Sequence, residues 1–206
     1  MADVGAIVLC GGTSRRMGGT DKTALRLGGS TVLDHLLDAL PAGWAVVCVG
    51  VERATRRTVT WTREQPPGGG PVAGVAAGLG VLRALHSGPP TSTGTTPEAE
   101  VVVVLAGDQP FAAPAAGELV DRLAEHPTAA AATALDGEGR RQPLLTAYRW
   151  QALRAAVPEP AAGTPARALL GAMDVLEVPQ PTELVEDVDT PEELARARRR
   201  VHRVEP

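Results

Sequence analysis

The segment Val101–Phe111, VVVVLAGDQPF, sets the tightest limit on what this chain can fold into. Its first six residues are apolar without alternation, so a strand made from them must be covered on both faces, as in the centre of a parallel sheet. The run stops on Gly107 and Asp108, which puts the Asp108 carboxylate at the carboxyl edge of that strand, where open α/β sheets bind ligands. Pro110 and Pro114 mark a turn at the same place, and a strand-end aspartate serves equally well as a turn or cap residue.

The rest of the chain alternates short apolar runs with segments of helical period, the pattern of an α/β protein with a largely parallel sheet. Strands are expected at Ala6–Cys10, Ala45–Val49, Thr58–Thr62, Val101–Ala106, Ala129–Leu135, Leu144–Tyr148 and Val175–Val178. Helices are expected at Thr31–Leu40, Val72–Leu85, Ala115–Glu125, Ala166–Met173 and Pro191–Arg203, each placing apolar residues on one face. At 206 residues and 44% apolar, the chain can bury one core, so a single domain over 1–206 is expected. Aromatics make up only 2%, so that core is built from short aliphatic side chains. From His86 to Glu100, HSGPPTSTGTTPEAE has no apolar period and reads as a flexible surface connection, about 87–99.

A net charge of −4 with scattered basic residues gives no electrostatic footprint for nucleic acid, which is not an expected partner. No apolar run approaches the ~18 residues of a membrane helix, and MADVGAIVLCGG lacks a basic leader before a long apolar core. A cytoplasmic protein without a membrane partner is expected. Cys10 and Cys48 lie in apolar strands, where buried inert thiols are the ordinary state, and no zinc spacing occurs.

The most unusual stretch is LCGGTSRRMGGTDK, Leu9–Lys22, directly after the first apolar run. Gly11, Gly12, Gly18 and Gly19 remove the Cβ atoms that would keep phosphate oxygens from backbone N–H groups. Arg15, Arg16 and Lys22 add full charges suited to a triphosphate. A Walker loop needs glycine before the lysine, where Asp21 stands, and G-x-G-x-x-G is absent, so both familiar nucleotide loops are excluded.

A second acidic motif lies far along the chain. In DVDTPEEL, Thr190 reads as a helix cap, Pro191 as the first helical residue and Glu193 as the capping-box partner. That leaves Asp187 and Asp189 unexplained; one residue apart, they share a side of an extended segment. Magnesium favours carboxylate and phosphate oxygens with retained waters, so Asp108, Asp189 and a nucleotide form a sufficient set. PPGGGPVAG, Pro66–Gly74, reads either as a glycine-rich turn into a helix or as a binding loop. Arg140 and Arg141 precede QPL and suit an anionic acceptor.

Together these segments resemble the MobA-like nucleotidyltransferases. LCGGTSRRMGGTDK is similar to the family's L-A-G-G-x-S-x-R-M-G-x-D-K signature, and GGGPVAG (Gly68–Gly74), LAGDQPF (Leu105–Phe111) and DVDTPEEL (Asp187–Leu194) follow in the family's order. The resemblance implies a Rossmann-like three-layer α/β/α nucleotidyltransferase that moves GMP from GTP to the phosphate of molybdopterin, or its molybdenum-loaded form, and releases pyrophosphate. It implies nucleotide contacts from Leu9, Cys10, Gly11, Gly12, Lys22, Glu64, Gly70, Gly74 and Asp108. Catalytic duty falls on Arg16, Lys22 and Asp108, and Mg²⁺ on Asp108 with Asp189. Arg167, Asp187 and Asp189 fall on the acceptor side. Implied protein partners are other molybdenum cofactor biosynthesis proteins or apo-molybdoenzymes, met transiently.

Three features depart from the family pattern. Cys10 stands where alanine is usual, GGT adds a residue between Met17 and Asp21, and D-x-D replaces the N-x-N of bacterial guanylyltransferase members. The last is more typical of cytidylyltransferases acting on the same pterin, which keeps CTP open. A sugar-1-phosphate nucleotidyltransferase would carry G-x-G-T-R-L, which is absent. A nucleotide-binding regulator without catalysis is the alternative from another class.

Overall fold

The computed structural model describes residues 3–11, 21–86 and 100–204. The connection expected at 87–99 lies outside the described residues. In chain order the elements are β1 (Val4–Leu9), a 3-10 turn at Lys22–Ala24, the short strands β2 (Arg26–Leu27) and β3 (Ser30–Thr31), and α1 (Val32–Ala39). Then come β4 (Ala45–Val49), β5 (Thr60–Thr62), α2 (Pro71–His86), β6 (Val101–Ala106), α3 (Ala113–Glu125), β7 (Ala131–Leu135), β8 (Arg141–Arg149) and α4 (Trp150–Ala156). A 3-10 turn at Ala166–Leu170, β9 (Val175–Pro179), α5 (Thr182–Val185) and α6 (Pro191–Val204) complete the described chain.

One sheet runs in the order β5-β4-β1-β6-β8-β7-β9. The first four strands are mutually parallel, β8 is antiparallel to both its neighbours, and β7 pairs in parallel with β9. β6 is central, as its unbroken apolar run requires: Val101, Val103 and Leu105 enter one core, and Val102 and Val104 the opposite one. β1 divides likewise, with Ala6 and Val8 on the first face and Ile7 on the second. Helices α1 and α3 cover the first face and α2 and α4 the second, giving the expected three layers.

Helix α2 lies unusually close to β1. A Cβ on Gly78 would stand 2.7 Å from Cγ2 of Ile7, and one on Gly5 of β1 would stand 2.8 Å from Cδ1 of Leu82. Glycine at these two positions sets the helix-to-sheet spacing. A third apolar cluster joins Leu194, Ala197 and Val201 of α6 to Leu27, Val32 and Val188, so α6 straps the β2–β3 hairpin and the segment before it to the main body.

Several elements differ from expectation. The helix expected at Ala166–Met173 is a 3-10 turn whose Leu169 and Leu170 are buried. Helix α4 follows β8 without a capping side chain, and α5 has four residues, so neither leaves a periodic trace. No helix among the described residues is long and apolar enough to cross a membrane.

Candidate active site

The carboxyl ends of β5, β4, β1 and β6 lie abreast, tied by single backbone bonds just beyond the strands. Gly50 N donates to Thr62 O at 2.9 Å, Cys10 N to Val49 O at 2.8 Å and Gly107 N to Leu9 O at 2.9 Å. These ends floor a cleft of about 450 Å³. Leu9, Cys10 and Gly11 enter it from β1, and Glu64, Gly70 and Gly74 from the approach to α2 and its first turn. Gly70 has φ +89°, a conformation other residues adopt only under strain, and its carbonyl accepts from Gly74 N at 3.1 Å. Glu64 Oε1 accepts from Gly68 N at 2.9 Å, so the carboxylate closes its own glycine loop while it lines the cleft.

The opposite wall is acidic. Asp108 occupies the turn after β6, and its carbonyl accepts from Val188 N at 2.9 Å. Gln109, buried beside it, donates Nε2 to Val185 O at 2.9 Å. These two bonds fasten the extended segment 186–189 against the end of β6. In that segment Val188 turns into the third apolar cluster, while Asp187 and Asp189 on either side of it line the cleft, the alternation that D-V-D predicts. Glu193 Oε2 accepts from the backbone N–H of Asp189 and Thr190 at 2.7 and 2.8 Å, and Thr190 Oγ1 accepts from Glu193 N, completing the capping box.

Lys22 reaches across from the other wall. Its ammonium is hydrogen-bonded to Asp189 Oδ1 and lies 3.9 Å from Asp108 Oδ2. It starts a 3-10 turn capped by Asp21, whose Oδ1 accepts from Thr23 N at 3.0 Å and Thr23 Oγ1 at 2.6 Å. Burial of Asp108, then the neighbouring charge of Asp187 and more weakly that of Asp189, push its carboxyl up to about 6 against the pull of Lys22. Burial and Asp189 raise Asp187 as well. Cys10 is buried, its thiol donates to Val8 O, and the neighbouring Cys48 thiol and burial push it up, so it is an inert part of the wall.

The donors offered here are carboxylate oxygens crowded together and short of positive charge, which suits a hard divalent cation. Among the described residues no group of three or more His, Cys, Asp or Glu side chains encloses a metal on its own. Magnesium is ordinarily held by one or two carboxylates plus substrate phosphates and water, and Asp108 with Asp189 fits that partial set.

Of the residues singled out in the sequence, Leu9, Cys10, Gly11, Lys22, Glu64, Gly70, Gly74, Asp108, Asp187 and Asp189 share this one cleft. Gly12, Arg16 and the basic residue Arg15 lie outside the described residues. Arg167 is exposed on the 3-10 turn after α4 and is not among the residues lining the cleft. Arg140 is paired with Asp136 and Glu138, and Arg141 with Glu177, so both are engaged away from it. The sequence reading missed Asp21, Thr23 and Arg53. Asp21 two residues before Thr23 is a recognisable cap signal; Arg53, thirty residues away, carries none.

The chain is similar in sequence and fold to known proteins. The model of the MobA-like NTP transferase domain matches residues 6–177. A molybdenum cofactor guanylyltransferase from Mesorhizobium japonicum is 35% identical over 155 residues, covering 71% of this chain and 67% of its own. A probable molybdenum cofactor guanylyltransferase from Natronomonas pharaonis is 28% identical over 98% of this chain and 100% of its own. Among solved structures, the molybdopterin-guanine dinucleotide biosynthesis protein A of Archaeoglobus fulgidus superposes with a TM-score of 0.67 at 22% identity, covering 97% of this chain and 99% of its own. The 2-C-methyl-D-erythritol 4-phosphate cytidylyltransferase of Thermus thermophilus gives 0.67 at 18% identity, with the same coverages of 97% and 99%. At those identities the likeness is one of fold.

Proposed function

The chain belongs to the MobA-like NTP transferase family, and from that premise we propose that this nucleotidyltransferase moves GMP from GTP to the phosphate of molybdopterin or Mo-molybdopterin in the cytoplasm. The observation that carries the reading is the convergence of Lys22, Asp108 and Asp189, separated by up to 167 positions, at one end of a cleft whose other end is glycine-lined backbone. Polyanion and base each find a matching wall.

In this reading the nucleoside lies over Leu9–Gly11 and the start of α2, with the Glu64 carboxylate suited to the adjacent N–H donors of guanine. Lys22 exchanges Asp189 for the β- and γ-phosphates, and Arg16 shares that duty by its place in the signature. Asp108 and Asp189 hold a magnesium ion, which when bound neutralises phosphate charge and orients the leaving group. An oxygen of the acceptor phosphate bonds to the α-phosphorus as the bond to the β-phosphate oxygen breaks, and pyrophosphate leaves. A phosphate monoester is already largely ionised near neutral pH, so the step needs positioning and charge balance from the protein rather than a strong base. Asp187, on the exposed rim, is open to the N–H donors of a pterin, and the product passes to other cofactor-biosynthesis proteins or apo-molybdoenzymes.

One experiment tests this. Purified protein is given Mg²⁺, molybdopterin and each of the four nucleoside triphosphates in turn, and pyrophosphate is measured. Release with GTP is the expected outcome. Release with CTP instead would move the assignment to the cytidylyltransferase, which the D-x-D motif favours, and nucleotide retention without turnover would make the protein a regulator.

A further inference from the structure

Arg53 lies in the irregular segment after β4 and belongs to none of the motifs above, yet its side chain is largely withdrawn from solvent. Its Nη1 sits 2.5 Å from Asp21 Oδ2 and donates to Thr23 Oγ1 at 2.7 Å. The guanidinium carbon stands 5.5 Å from the centre of the Trp61 ring on β5, within cation–π range. Asp21 thus uses Oδ1 to cap the 3-10 turn and Oδ2 to meet Arg53, and the Thr23 hydroxyl donates to Asp21 Oδ1 while accepting from Arg53 Nη1. The ring of contacts closes around Lys22, the residue between them.

We propose that Arg53 is a positioning residue for the Lys22 ammonium, acting through the Asp21–Thr23 turn and itself fixed by the face of Trp61. The inference rests on the reading of Lys22 as a phosphate ligand. Two consequences of the geometry support it. Asp21 lines the cleft, so an unpaired carboxylate there would repel a bound triphosphate, and Arg53 cancels that charge at contact distance. Both contacts leave from Nη1, one N–H for each acceptor, while the rest of the guanidinium is held over Trp61; a lysine ammonium could cancel the charge, but its flexible stem gives the ring no planar group to hold in that place. Half of the pair is solvent-exposed, with the Asp21 side chain 45% accessible, and an ion pair of that kind contributes little to folding. What it contributes is geometry.

The test is a double-mutant cycle on the full chain. Equilibrium binding of GTP with Mg²⁺ is measured by calorimetry for wild type, Arg53→Gln, Lys22→Ala and the double variant, with thermal melts alongside. Arg53→Gln is expected to weaken GTP by about tenfold, the scale of a charge-assisted bond. In the Lys22→Ala background the same change should cost no more than about threefold, the repulsion from the unpaired Asp21 carboxylate alone, because the positioning part of the loss has no ammonium left to act on. Arg53→Lys should lose nearly as much as Arg53→Gln, and Asp21→Asn, which keeps the cap but loses the ion pair, should follow them. Equal losses in both backgrounds would overturn the inference by making Arg53 an independent ligand contact. Full affinity in Arg53→Lys, or loss of a cooperative melt in Arg53→Gln, would also overturn it. A wild-type protein that binds no nucleoside triphosphate would instead remove the nucleotide reading beneath it.

Discussion

Replacing Asp108 by asparagine in the metal-free protein should make it more stable, and by an amount that depends on pH. The native carboxyl is held near 6, against 3.8 for the free side chain, chiefly by burial and by the charge of Asp187. A raised native value means that the folded state binds the proton more tightly than the unfolded chain. The stabilising contribution is therefore fully present below pH 3.8 and is lost as pH rises through 6. The gap between the two values corresponds to about 3 kcal/mol above pH 7, falling to roughly 0.5 kcal/mol at pH 4. Asp108→Asn never ionises, so it escapes this loss while keeping the shape of the side chain. At this chain length 1 kcal/mol shifts the melting temperature by about 2–4 °C, so the variant should melt roughly 6–12 °C above wild type at pH 8 and within about 2 °C at pH 4. Melts by circular dichroism in chelator across that range would measure both. A variant that melts below wild type at pH 8, or a gap that does not change with pH, would refute the claim that Asp108 is a carboxylate held in a disfavoured charged state.

Two other outcomes follow from the packing. Gly78→Ala places a methyl 2.7 Å from Ile7 Cγ2 and should destabilise the fold by about 1–3 kcal/mol, read from urea unfolding midpoints. Gln109→Met keeps the side-chain volume but removes the bond to Val185 O; stability should fall by about 1 kcal/mol, while pyrophosphate release falls several-fold more than that loss explains, because the segment bearing Asp187 and Asp189 is loosened.

Strands were the most legible part of the fold, because central parallel strands are buried on both faces and their apolar runs need no partner to be recognised. β4 and β6 have the expected ends, and the ends of the others move by a few residues. Elements whose signal is tertiary were not legible. The β2–β3 hairpin has two residues per strand and turns on Gly28 at φ +59°, and α4 begins without a cap. The segment at Ala166–Leu170 had an amphipathic pattern, yet five residues after a proline settle as a 3-10 turn against the core, leaving Arg167 exposed. The acidic and basic poles of the cleft were legible because glycine, lysine and aspartate sat where secondary structure did not require them. The partner of Asp21 was not, since Arg53 lies far along the chain in an irregular segment and such a contact leaves no period to read.

The strap formed by α6 and the segment before it fixes an order of events in biosynthesis. Asp187 and Asp189 emerge from the ribosome only after every strand of the sheet has been made. A nascent chain that has already paired those strands carries Asp108 beside Lys22, and the second acid arrives when Val188 docks beside Leu27 and Val32. In the proposed reading, a cation that needs both acids is held only once the tail is home.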